Sequence, residues 1–166
     1  TSTNAKQIVE SFPKDQKIIF GPDKNLGNYI NSITGRNMLL WDGACHVHER
    51  FSVEKIIELK KTYPDALVLV HPECKGAVAK LADKVGSTAG LLKYAMNSDK
   101  KNFIPAPPED NTCACNECNF MRLNTLQKLY NTLKYEWPEV KVEAEIADKA
   151  IKPICRMLEI SEKLGL

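Results

Sequence analysis

Short apolar runs, each followed by a stretch with helical spacing, constrain this chain most. Residues 17–20 (KIIF), 38–41 (MLLW) and 66–70 (ALVLV) read as buried strands, and residues 102–104 as a weaker fourth. Between and after them, apolar positions recur with a helical period over 3–11, 25–33, 52–61, 76–83, 88–97, 120–135 and 144–163. Ser52 and Ser87 stand where N-caps belong, Gly35 and Pro64 where helices stop, and Pro153 can open a second segment of the last helix. Leu123, Leu126, Leu129, Tyr130 and Leu133 would form the core face of the 120–135 helix. Strands alternating with helices predict an α/β fold with parallel sheet and helices on its faces.

Three strands run into proline and then an acid: FGPD at 20–23, VHPE at 70–73 and FIPAPPED at 103–110. Ligands of open α/β sheets sit beyond the carboxyl ends of strands, so chemistry is expected there. The plainer alternative is that each proline only stops its strand.

Composition narrows the function. With 23 basic and 21 acidic residues the net charge is +2, which gives no broad nucleic-acid footprint and no polybasic membrane surface. No apolar run reaches the roughly 18–20 residues of a membrane span, and no signal peptide is visible, so a cytoplasmic protein is expected. Six cysteines in a reducing compartment read as metal or redox ligands before disulfides.

Four constellations could carry chemistry. Cys113, Cys115 and Cys118 put three thiols within six residues of a Pro- and Cys-rich loop, 105–118. Cys118 precedes a helix, whose positive end favours a thiolate suited to a metal or an iron–sulfur cluster. Cys155, alone in the last helix, reads as packing. After the MLLW strand, WDGACHVH supplies Cys45, His46 and His48; the alternation of the two histidines lets one face the same side as Cys45, and the alternative is a surface loop. His71 and Glu73 lie two apart on an extended strand end and so face one way, as an acid–base pair would. The alternative is a capping histidine and a solvated glutamate. Gly86-Ser87-Thr88-Ala89-Gly90 opens a helix with free N–H groups and two hydroxyls. It lacks the Gly-Lys-Ser/Thr of a nucleotide loop, so it suits the phosphate or carboxylate of a small metabolite, or is simply a serine cap.

In order, TSTNA, PDKNLGNYI, WDGACHVHERF, HPEC, GST and CACNECNFMRLNTL resemble quinolinate synthase, the iron–sulfur enzyme of de novo NAD synthesis, over nearly the whole chain. The resemblance implies three-layer α/β/α units with short parallel sheets around a pseudo-threefold axis. It implies a [4Fe-4S] cluster acting as a Lewis acid and a transferase that condenses iminoaspartate with dihydroxyacetone phosphate, releasing phosphate and water. Cys45 and Cys118 match cluster ligands, and Cys113 and Cys115 a redox-active pair of some members, although the spacing here is one residue shorter. Ser2, His48, His71, Glu73, Ser87 and Thr88 match substrate-binding positions, with His71 and Glu73 also moving protons. The aspartate-oxidising enzyme that supplies iminoaspartate is a further expected partner, and a monomer or dimer the expected assembly.

The same resemblance divides the chain into the end of a second α/β unit at 1–37, a shortened third unit at 38–104, and a Cys-rich loop with helices at 105–166. A first cluster cysteine would precede TSTNA, and one strand–helix unit would be missing between two similar FI segments, where KKNFI runs straight into PAPP. Two matched thiolates are too few for a stable cluster, so this polypeptide alone is expected to be inactive and poorly soluble. The competing readings are a zinc-binding interaction module, or an electron carrier, built on Cys113, Cys115 and Cys118.

Overall fold

The computed structural model describes residues 1–99, 102–109 and 117–166. The chain divides into two compact units, Thr1–Asn116 and Glu117–Leu166.

The first unit is α/β. Helix α1 (Ala5–Glu10) leads to strand β1 (Ile19–Phe20), helix α2 (Lys24–Thr34) and strand β2 (Leu39–Leu40). Helix α3 (Val53–Thr62), strand β3 (Leu69–Val70), helix α4 (Gly76–Ala79), strand β4 (Lys84–Val85) and helix α5 (Thr88–Met96) follow. Both sheets are parallel pairs. Ile19 faces Leu39 and Phe20 faces Leu40 in the first, and Leu69 faces Lys84 and Val70 faces Val85 in the second. The first pair therefore joins segments from both sides of residue 37.

Each sheet is backed by its own core. Ala5 and Val9 of α1, Leu26 and Ile30 of α2, and Met38 pack with Phe20 and Leu40. Ile56 of α3, Val70, Cys74 and Val78 of α4 pack with Phe51, Val68 and Leu81. Arg36 joins the ends of two helices: its guanidinium donates to the carbonyls of Val9 (3.1 Å), Phe12 and Pro13 (2.6 Å), at and just beyond the end of α1. The caps read from sequence form. Ser52 accepts from the Lys55 amide and Ser87 from the Gly90 amide, both at 3.2 Å, and Gly35 ends α2 in the left-handed conformation.

Several expectations need correction. The strands are shorter than their apolar runs, because only two residues of each keep ladder partners. Residues 102–104 form no strand among the described residues. Instead 107–109 run antiparallel beside residues 50–52, with a Phe51–Pro108 bridge, the Ser52 amide on the Pro107 carbonyl (3.1 Å) and the Glu109 amide on the Arg50 carbonyl (2.7 Å). The 76–83 helix stops at Ala79, and β4 follows it. Its entry is tied to β3 by the Asp83 carboxylate, which accepts from the Val68 amide at 2.7 Å.

The second unit is helical, with α6 (Asn119–Arg122), α7 (Leu126–Tyr135) and α8 (Ala144–Leu164). The single helix expected over 120–135 is two, because Thr125 caps a fresh start at Leu126 by accepting from the Lys128 amide. Pro153 lies inside α8 without dividing it. The apolar face read as core is exposed instead: Leu126 is 85% and Leu133 83% accessible. No helix among the described residues is long and apolar enough to cross a membrane.

Candidate functional site

The carboxyl ends of β1, β2 and β3 converge. Asp23, at the end of the FGPD turn, is buried, and its two oxygens serve different segments. One accepts from the Leu26 amide at 2.8 Å and caps α2; the other accepts from the Cys45 amide at 2.9 Å and holds the loop after β2. Gly43 makes this approach possible. A β-carbon there would lie 2.5 Å from the Pro22 carbonyl oxygen and 2.9 Å from the Trp41 ring. The Gly43 carbonyl also accepts from the Lys24 amide at 2.7 Å.

From that loop a short 3-10 turn, His48–Arg50, presents His48 to the segment after β3. Its Nδ1 lies 3.2 Å from Glu73 Oε2. A carboxylate only accepts, so His48 donates from Nδ1, and its neutral form carries the lone pair on Nε2. The His48 and His71 rings stack, with centroids 4.6 Å apart and planes inclined by 9°. The Glu73 amide donates to His71 Nδ1 at 3.4 Å, which leaves the proton on Nε2. That N–H points at the Ser2 hydroxyl, 3.3 Å away, and Ser2 keeps its own proton to offer elsewhere. His71 is thus not arranged to deprotonate Ser2, and the three do not form a hydrolase triad.

Electrostatics favour neutral His71. Burial pushes its pKa below the ordinary value, the neighbouring His48 adds to this, and Glu73 only partly opposes it. Cys74 is buried in the second core, and burial pushes its thiol up to about 12, so it stays protonated there.

Ser2, His48, His71 and Glu73 are therefore one contiguous group, with Cys45 beside them. The sulfur of Cys45, a nitrogen of His48 and an oxygen of Glu73 lie within 4.8 Å of one another. His46 is exposed and outside this group. Ser87 and Thr88 sit at the same carboxyl end of the second sheet, because Gly86 donates to the Val70 carbonyl just before His71. Ser87 is engaged as the cap of α5, and Thr88 is exposed. Cys118 is the half-buried residue before α6, in the second unit. Cys113 and Cys115 lie outside the described residues. Sequence reasoning missed the double role of Asp23. The FGPD motif was its signal, but only the fold shows that Cys45, 22 positions on, is the second partner.

A family described as Quinolinate synthetase A protein matches residues 1–159. The curated quinolinate synthases of Thermosynechococcus vestitus and Chloroherpeton thalassium are 48% and 50% identical over 97% and 98% of the chain. That of a Synechococcus strain is 47% identical over 97%. The chain spans 57% of the length of each of these relatives. The first alignment runs over 182 positions, more than the chain's own 166, so that relative carries at least 16 positions with no counterpart here.

Proposed function

Because this chain belongs to the quinolinate synthase family, we propose that it serves the condensation of iminoaspartate with dihydroxyacetone phosphate to quinolinate, a transferase reaction of pyridine nucleotide biosynthesis. The observation that carries the reading is the Ser2–His71–Glu73–His48 group, a linked set of donors and acceptors at converging strand ends. Both substrates are anions, and the reaction moves several protons. The Ser2 hydroxyl has a proton to donate to a carboxylate. His48 Nε2 has a lone pair, and a proton taken there would be stabilised by Glu73 behind Nδ1. Neutral His71 holds Ser2 in place through Nε2 and can itself donate from that atom. The cap of α5 at Ser87 and Thr88 offers amides and hydroxyls to a second anionic group.

The family's [4Fe-4S] cluster fits part of what is present. Cys45 is a half-buried thiol beside the acid–base group, as one cluster ligand would be. Cys118 is proposed as another, with Cys113 and Cys115 as candidate redox positions. When bound, the cluster would supply a Lewis acid to a substrate oxygen. The rival reading, a metal-binding or electron-transfer module on Cys113, Cys115 and Cys118, gives no role to the Ser2–His71–Glu73–His48 group. Oligomeric state, a cytoplasmic location and pairing with the iminoaspartate-supplying enzyme belong to the proposal too.

Anaerobic reconstitution with iron and sulfide, EPR, and an assay of quinolinate formation test it. This stretch alone is proposed to be inactive, so the variants are read in a chain carrying the remainder of the relatives' length, where His71→Ala and Glu73→Gln should each lower turnover by about 100-fold or more while iron content holds. Turnover unchanged in both variants would sink the assignment.

A further inference from the structure

Beyond the cluster reading and independently of it, we propose that Cys45, His48 and Glu73 form a mononuclear site for a divalent cation of the zinc type in the iron-free protein. The donor set is a thiolate, an imidazole and a carboxylate. That borderline-soft combination suits Zn²⁺, Co²⁺ or Fe²⁺ and not Mg²⁺ or Ca²⁺. Three protein ligands leave a fourth tetrahedral position open to water or a small anion, as in metal sites that do chemistry.

The geometry is close to assembled. With metal–ligand bonds of about 2.0–2.3 Å, donors around a tetrahedral ion lie roughly 3.3–3.7 Å apart. His48 Nδ1 and Glu73 Oε2 are already 3.2 Å apart, and the three donor atoms fall within 4.8 Å; the metal takes the place of the Nδ1 proton, and the ring proton then sits on Nε2. The longest separation among the three donors is at most 4.8 Å, and the Cys45 sulfur is the third of them. The backbone that carries it is fixed by the Asp23 carboxylate on the Cys45 amide.

The surroundings hold the ligands in place. His71 stacks on the His48 ring and fixes its plane, and the Glu73 amide is engaged on His71 Nδ1. Contacts of this kind orient ligands and tune their affinity. The three donors come from one compact unit, from two loops that the buried Asp23 and the second core hold together. Cys45 cannot serve a cluster and a single ion at once. The two occupancies exclude each other, and the mononuclear site belongs to protein from which iron and sulfide are absent.

Titration of anaerobic, iron-free protein with Co²⁺, read by optical absorption, tests this. The expected result is a saturable one-to-one complex with a thiolate-to-cobalt charge-transfer band and tetrahedral d–d bands. Cys45→Ser should remove the charge-transfer band. Glu73→Gln should weaken affinity about tenfold or more. The combined variant Cys113→Ser, Cys115→Ser, Cys118→Ser should keep the band and the stoichiometry. Circular dichroism checks that each variant is folded. A band that survives Cys45→Ser, a band lost in the triple variant, or no complex at all would overturn the site. None of these readouts depends on turnover or on cluster assembly, so failure here is distinguishable from failure of the quinolinate synthase reading.

Discussion

His71 shows how one side chain sets the pH response of this region. Its pKa is lowered in the folded chain by burial and by His48, so the folded state prefers the neutral ring. Below the ordinary histidine value of 6.5 the unfolded chain binds a proton that the folded chain does not, and stability rises with pH wherever the unfolded state holds more protons. His71 therefore costs stability as the pH falls below 6.5. Its contribution is fully regained above that value. Urea unfolding at several pH values checks this: His71→Gln should show a shallower loss on acidification than the parent chain. An identical or steeper loss would place the dependence in other groups. Glu73 and His48 were visible in the sequence as members of an HPE run and a WDGACHVH run. Their mutual contact was not, because it joins residues 25 apart, in turns that follow strands of different sheets.

At the scale of elements, the apolar runs at 17–20, 38–41 and 66–70 were legible because buried strands need continuous hydrophobic character. Strand β4 was not. Lys84 and Val85 follow a leucine, an alanine and an aspartate, and nothing in so short and mixed a run carries a period. Its pairing is imposed from outside, by Val68 and Val70 offering ladder partners. The break between α6 and α7 hid for a related reason. Leucines recur at helical spacing across it, and the Thr125 cap is a local hydrogen bond that periodicity does not see. The packing of strand ends gives an element-scale prediction. Gly43 lies where a β-carbon would press on the Pro22 carbonyl, which is backbone and cannot swing aside. Gly43→Ala should cost about 1–3 kcal/mol, read as a lowered midpoint in thermal or urea unfolding. An unchanged midpoint would show that the two turns can separate without cost.

Over the whole chain, the sequence carried the fold class further than it carried the burial. The face of α7 read as core from its leucines is open in the structure, since periodicity reports that a helix has an apolar side and not what covers it. Some features bind distant parts into one event, and Asp23 is the clearest. Its two oxygens give the Leu26 and Cys45 amides a shared lifetime: neither opens to solvent by way of this contact without the carboxylate moving. Native-state hydrogen exchange would read this as one clock for two amides. Asp23→Ala should release both. Asp23→Asn keeps one acceptor oxygen and replaces the other by a donor, so one of the two amides should stay slow while the other becomes fast. Both amides unchanged in Asp23→Asn would show that each keeps its own time. In the parent chain, the first turn of a helix and the thiol offered to a metal are then timed by the same carboxylate.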